Sequence, residues 1–417
     1  MKCKPYIAIV AALTLVVSCR SDVEAPPGAV FLKSIDLGED YTTLSAFGLD
    51  DGSVIMTLWG GFTSDLIKVD RQGNLLWRSD ISGNVWYTWA GVLLSNGNIL
   101  VYGFDGENNN REAGAVIFSP EGELMHSVTF LNQTGNAPAD ISYSLDGMEL
   151  SNGDIALVMP VITAAAGPTR VRLMRFDQSL ELISSRIYQP DSVVPNVSTR
   201  QISLTQDRHD NLLVQGRVVA AFDAPDIFAF VMKLEKDTDD PVYFQQFEGD
   251  FVTIPSNVAA ADDGAAVWAS AGPTPISEAL IGRFTMLGEK RFSIGTEIVV
   301  RMSNGPDEEV ITTVIRGFPK FGFIENVRVC SDGGFMLSGT CNFNSNQEIP
   351  GDYRVLLVKL DSRLNVQWMR VPDTHSAAVC ADAIEVDGGF LVSGSHFGYR
   401  EYNNPFLFKI DFEGNIY

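Results

Sequence analysis

Histidine is nearly absent: the chain has 4 in 417 residues, scattered singly. Cysteine is almost as rare, with 5, and no two stand at metal-ligand spacing, so no metal centre is expected. Positive charge is short as well. The 30 lysines and arginines face 52 acids, a formal net charge of −22. A field of that sign repels nucleic acid and anionic lipid, and no nucleic-acid partner is expected. There is no nucleophile elbow, no phosphate loop and no paired His–Cys arrangement. That argues against the enzymes those motifs define, but not against hydrolases or lyases that carry no short motif. Nothing calls for a cofactor. Helical periodicity is missing beyond the N-terminal segment, and the one long apolar run, Tyr6 to Val17, is too short to span a bilayer.

That run is flanked by Lys2 and Lys4 on one side and by Ser18-Cys19 on the other, the layout of a secretory signal. Its ending, "VVSC", resembles the lipobox of bacterial lipoproteins. The resemblance implies cleavage before Cys19 and acylation of its thiol. Residues 1–18 then form a lipoprotein signal peptide, 19–29 a lipidated tether, and 30–417 the folded domain. The implied partner is outer-membrane lipid, held through the acyl chains on Cys19. Asp22 and Glu24, close behind, are similar to a surface-export signal of Bacteroidota lipoproteins. The expected location is therefore the outer membrane, lipid-anchored and exposed at the cell surface.

The rest of the chain is a repeat. An apolar strand, an Asp-Gly or Asn-Gly turn and a second strand are followed by a variable loop. Then come "φφ-K/R-φ-D", another turn, and a fourth strand that often carries an aromatic. The turns are Asp51-Gly52, Asn96-Gly97, Asn152-Gly153, Asp210-Asn211, Asp263-Gly264, Asp332-Gly333 and Asp387-Gly388. They stand about 56 residues apart, close to the kelch-type period. Such dipeptides accept positive φ and suit two-residue hairpins. The third-strand phrases keep step: "DLIKVDRQGN", "GAVIFSPEGE", "VRLMRFDQSL", "AFVMKLEKDT", "ALIGRFTMLGE", "RVLLVKLDSRLN" and "PFLFKIDFEGN". The expected fold is all-β: a seven-bladed β-propeller of four-stranded antiparallel blades. The last copy ends at Tyr417 without its fourth strand, while Val30 to Leu37 belongs to no hairpin. Pairing that segment beside "PFLFKID" closes the ring and covers a sheet edge. Residues 295–323 read as an insertion with an extra hairpin, "SNGPDEE" at its tip.

The phrases "DGGFLVSGS" and "FKIDFEGN", with the tryptophans of "DRQGNLLW" and "SRLNVQW", resemble propeller lipoproteins of Bacteroidota. They are also similar to the repeats of quinoprotein and kelch-like seven-bladed propellers, where an aromatic after the Gly turn packs between blades. That implies inter-blade packing for Trp77 and Trp368. No adjacent cysteine pair supports a quinone cofactor. The nearest stretch to a sialidase Asp box, "ADDGAAVW", lacks the leading Ser and places Trp268, a core candidate, one residue late.

Propeller ligands bind at the mouth, where fourth-to-first and second-to-third loops gather. The register puts Trp59, Trp86, Tyr87, Trp89, Asp140, Tyr143, His375, His396, Tyr399, Arg400 and Tyr402 there, with Phe343, Tyr353 and Asp373 beside them. Aromatics with Asn, Asp and Arg suit sugar-face stacking or a protein contact, or they roof the blade ends. Asp140, Asp373 and Glu401 are acids at the mouth, but no pair among them is singled out, and the catalytic residues stay unknown. Asp105, Glu107 and Asn109 alternate as in a calcium loop but lack its glycine; Asp237, Asp239 and Asp240 read as a hairpin tip. Cys341 and Cys380 are the candidate disulfide, on one face of adjacent blades, with Cys330 a buried thiol. The first expectation for function is a binding or scaffolding subunit for a glycan, peptide or membrane protein complex, accessory to outer-membrane uptake and not itself an enzyme. The second is a carbohydrate-active enzyme, hydrolase or lyase, with its site in the same mouth.

Overall fold

The computed structural model describes residues 33–37, 40–60, 63–83, 85, 87–105, 112–131, 145–162, 169–189, 198–219, 227–247, 257–271, 297–316, 321–342, 353–372, 374, 377–397 and 404–416. They form seven four-stranded antiparallel sheets, with no helix among them. The first strand of each sheet touches the first strands of the sheets before and after it, so the ring closes as a seven-bladed β-propeller. Blades 1 to 6 span 42–80, 87–131, 146–188, 198–247, 259–316 and 321–370. Blade 7 takes three strands from 377–410 and its outermost from the other end of the chain. Lys33 and Ser34 pair antiparallel with Leu407 and Phe406, and Ile35 donates its N–H to Pro405 O at 2.8 Å. This is the closure expected from the unfinished last copy.

The core is divided among the blade interfaces. Seven apolar layers, one per interface, hold the described buried side chains. Trp268 is 1% exposed and meets Phe247 edge-on at 4.7 Å. Trp77 lies against Gly122 of the next blade, where a Cβ would come within 3.0 Å of the ring. Trp368 donates its indole N–H to Phe412 O of blade 7 at 2.8 Å. Both tryptophans thus hold neighbouring blades together.

The repeat residues have local work. All seven turns place a residue at positive φ: Gly52, Gly97, Gly153, Asp210, Gly264, Gly333 and Gly388. Only glycine, or Asp and Asn with their short side chains, adopts that conformation readily. The expectation of two-residue hairpins holds in blade 7 alone, where Val386 pairs directly with Gly389. Elsewhere the turn is longer by one: Gly52 N–H bonds Leu49 O while Leu49 N–H bonds Ser53 O, each at 2.8 Å. A right-handed turn followed by one left-handed residue matches strand twist just as well. The lysines of the third strands anchor these turns, as in Lys233 with Asp207 (2.7 Å) and Lys359 with Asp332 (2.8 Å). The aspartates two residues after such lysines cap the next turn. Asp361 accepts the N–H groups of Arg363 and Asn365, and Asp70 does the same for Gln72 and Asn74. The "KDTDD" stretch is a hairpin tip, tied to blade 3 by Arg186–Asp240 (2.8 Å) and by an Arg175–Asp239 ion pair.

Two expectations are corrected. Glu297–Ser303 and Ile311–Arg316 are blade 5's own third and fourth strands, not an extra hairpin. "ALIGRFTMLGE" lies outside the described residues, and the long connection runs between second and third strands instead. The Cys341–Cys380 bridge is not formed either. No disulfide joins the three described cysteines, and all three are buried. Cys341 points into the layer between blades 5 and 6, Cys380 into that between blades 6 and 7, so the blade 6 sheet separates them. Cys330 is the buried thiol expected, and burial pushes it up to about 12.

Candidate functional site

Toward the propeller axis, the first strands of five blades carry a register shift of one residue. A bulge leaves a strand N–H without its ladder partner. In four blades the residue four before the turn begins supplies an acceptor for the next blade. Ser45 Oγ accepts Gly91 N–H (3.0 Å), Asp146 accepts Leu204 N–H (2.8 Å), Ser203 Oγ accepts Val258 N–H (3.0 Å), and Asn257 accepts Val327 N–H (2.6 Å). In blades 2, 4 and 6 the N–H so held follows the register shift, and the bonds stitch neighbouring blades together.

Two members of that ring are charged, and they carry the most unusual electrostatics among the described residues. Asp146 accepts from Tyr102 Oη (2.7 Å) and from Gly147 N–H (2.9 Å) besides Leu204. Burial pushes its carboxyl up despite those donors. Tyr102, also buried beside the carboxylate, is raised well above its ordinary value. On the other side of the axis, Arg328 of blade 6 grips Asp382 of blade 7 through Nε, at 3.0 and 3.1 Å, and through Nη2. Asp382 raises the guanidinium, and Asp146 and Tyr102 add to that from across the ring. The Asp382 side chain is 3% exposed and the Arg328 side chain 46%. The arginine therefore looks into the space around the axis while its partner is sealed in the wall.

At the mouth, the described part is the upper edge of the blades. Trp59 ends the second strand of blade 1 and is half-buried. Beside it Tyr41 Oη accepts from Arg78 (2.5 Å), which also pairs with Asp65 (2.8 Å). Burial is the main reason Tyr41 is pushed up to about 12. His396 ends the second strand of blade 7, half-buried, its ring 4.8 Å from Phe406. Burial pushes this imidazole down, toward the neutral form. Opposite it in the sheet stands Asn404, whose Oδ1 is buried without a hydrogen-bond donor.

The structure thus places Trp59 and His396 at the mouth, on different blades. Tyr87 and Trp89 lie in the first strand of blade 2, but their side chains fall outside the described residues. So do the whole of Trp86, Asp140, Tyr143, His375, Tyr399, Arg400, Tyr402 and Cys19. Sequence reasoning missed Tyr102, Asp146, Arg328, Asp382 and Asn404. A signal existed for the stitching: with the copies aligned on their turns, six of the seven carry Ser, Asp or Asn four residues before the turn begins.

No protein-family model and no curated protein sequence matches the chain. Solved structures do. An ulvan lyase of the PL25 polysaccharide lyase family superposes with a TM-score of 0.61 at 10% identity, covering 92% of this chain and 97% of that one. The polysaccharide lyase Uly1 gives 0.53 at 10%, covering 88% and 90%. A catalytically inactive virginiamycin B lyase from Staphylococcus aureus, with quinupristin, gives 0.51 at 12%, covering 90% and 98%. At such identities the likeness is one of fold, and the fold these enzymes share with this chain is the propeller.

Proposed function

We propose that this protein is a carbohydrate-active enzyme that takes a polysaccharide chain across the mouth, with its site centred over blades 6 and 7. The observation that carries the reading is the half-buried imidazole of His396 at the mouth end of blade 7, held toward its neutral form by burial. A neutral imidazole at the mouth end of a blade is suited to proton abstraction or relay near neutral pH. The strands that flank residues 343–352, 373–376 and 398–403 end at the same place, and by sequence those stretches hold Phe343, His375, Tyr399, Arg400 and Tyr402. Aromatics and hydrogen-bonding groups in that mixture suit sugar rings. The fold is also one that polysaccharide lyases use, which shifts the weight from a passive binding subunit toward the enzyme.

The test is a panel of plant, algal and bacterial polysaccharides read in three ways. Absorbance of unsaturated products reports elimination, new reducing ends report hydrolysis, and retardation in polysaccharide-containing gels reports binding alone. Product formation that falls at least 100-fold in His396→Ala, with unchanged thermal stability, is the expected result. Retardation without product on any member would return the protein to the binding class.

The same reading includes anchoring by the acylated Cys19 at the outer membrane. Replacing Cys19→Ser is expected to move the protein from the membrane fraction to the soluble one. Membrane association that survives the change would refute the lipid anchor.

A further inference from the structure

Each of the seven blades ends in an outermost strand whose far side pairs with no described residue. Such an edge can capture another strand, and proteins blunt it with charge, with proline or by keeping it short. Six of the seven are blunted here. The edge strand of blade 1 carries Arg78 and Asp80, that of blade 3 Arg186, that of blade 5 Arg316 and that of blade 6 Arg370. Blade 4 opens its edge strand on Pro241, and the edge strand of blade 7 is only Lys33–Ser34. Blade 2 is the exception. Its edge strand, Leu124–Leu131, reads "LMHSVTFL" and at 8 residues is the longest of the seven. It holds no lysine, arginine, acid or proline.

The side chains of that strand fall in two rows. His126, Val128 and Phe130 are half-buried, the last two against the layer between blades 2 and 3. Ser127 and Thr129 are exposed, as are Leu124 (51%) and Met125 (47%) at the hairpin end. The register with the third strand slips only between Ile117 and Phe118, so the ladder is regular from His126 onward. The edge is therefore straight and uncharged.

It is also complementary to itself. A two-fold axis perpendicular to a sheet sets residues i and j of one copy against j and i of the other. Residues that face each other must lie on the same side of the sheet. An axis at Val128, the centre of the run 126–130, meets both conditions. Ser127 then faces Thr129 of the second copy, His126 faces Phe130, and Val128 faces its own equivalent. Hydroxyl meets hydroxyl, ring meets ring, and no like charges oppose each other. Cross-strand pairs of these kinds are favourable. The other edges are blunted, so association by this route closes at two copies and does not grow into a fibre.

We infer that the edge of blade 2 is a homodimer interface: Leu124–Leu131 pairs antiparallel with the same strand of a second copy, joining two four-stranded blades into one continuous sheet. The contact is on the perimeter of the disc and is independent of the saccharide reading.

The test is sedimentation velocity of the purified protein in mild detergent, at about 150 mM salt, where repulsion between the acidic copies is screened beyond about 8 Å. A monomer–dimer equilibrium within about 1 to 100 μM protein is the expected result. The double change Ser127→Lys with Thr129→Lys sets lysine against lysine twice across the axis. It is expected to weaken the dimer about tenfold or more at an unchanged melting temperature, since both positions are exposed. The matching Ser127→Glu, Thr129→Glu protein is expected to weaken it likewise, and an equal mixture of the two variants to pair again. Should the lysine protein fail to fold, the glutamate protein gives the same reading alone. A monomer at every concentration would overturn the inference, including one whose edge is filled by a co-purifying unlike peptide. So would a dimer as tight in the charged variants as in the wild type, or a mixture that stays monomeric.

Discussion

Deleting residues 29–37 is expected to cost about 5 kcal/mol, a large part of the 5–15 kcal/mol that holds a typical domain together. The deletion removes the pairing of Lys33 and Ser34 with blade 7 and the bond from Ile35 N–H to Pro405 O. It also removes Ile35, 4% exposed, from the layer it shares with Leu407, Tyr41 and Met56. Burial of one such side chain contributes about 1.5–3 kcal/mol, and each lost backbone bond about 1 kcal/mol. The remainder comes from Leu407, which loses its cover, and from a bare sheet edge. The truncated protein should melt several degrees lower and self-associate on heating, because an unpaired edge strand invites its own kind. Differential scanning calorimetry with light scattering decides it. A melting temperature equal to the parent's would show that closure contributes nothing.

The second large effect is expected at Arg328. Changing it to Met strands the Asp382 carboxylate in a wall where its side chain is only 3% exposed, with the N–H of Ala383 (2.8 Å) still donating to it. Breaking a buried ion pair costs about 3–5 kcal/mol. The partial exposure of Arg328 and its openness to water place the loss near the lower end, about 3 kcal/mol. The double change Arg328→Met with Asp382→Leu should recover most of it, since removing both charges also removes the desolvation cost. Chemical denaturation of the wild type, both single variants and the double variant gives the coupling directly. Equal stability of Arg328→Met and wild type would show that the pair is open to solvent on both sides.

The parts of this fold that were legible from sequence are those where geometry admits few residue types. Gly52, Gly97 and Gly333 sit where φ is positive, and that demand is printed in the sequence as a period. The closure of blade 7 followed from counting strands. The misreading of blade 5 has a specific cause. "ALIGRF" copies the apolar run and the basic residue of the other third-strand phrases, and that pattern alone does not tell it from the true strand. The real strand ends Arg301-Met302-Ser303, where Ser303 Oγ takes over the capping of Gly305 N–H. The Arg328–Asp382 pair was hidden for another reason. Facing is read by counting in twos, and the bulge between Cys380 and Asp382 shifts that count by one within the strand. The cysteine pairing failed similarly: the two residues share an end of the disc, but they lie on opposite sides of one sheet.

The pairing of Lys33 with Leu407 has a consequence for how the molecule is made. A chain synthesised from one end completes six blades by local hairpins, each of which can form as soon as it emerges. The seventh cannot, because its outermost strand is made first and its neighbour in the sheet is made last. Through most of synthesis the early strand has no seat, and the nascent ring stays an open arc with a raw end on each side. Pairings so remote in sequence form slowly. The window in which a protease or a chaperone can act on this protein is therefore set by arrival of the 404–410 segment, whatever the stability of the finished ring. Moving the break in the chain to a turn such as Asp263-Gly264 would make the 33–410 junction local and shorten that window, while leaving the strand pairing at that junction as it is.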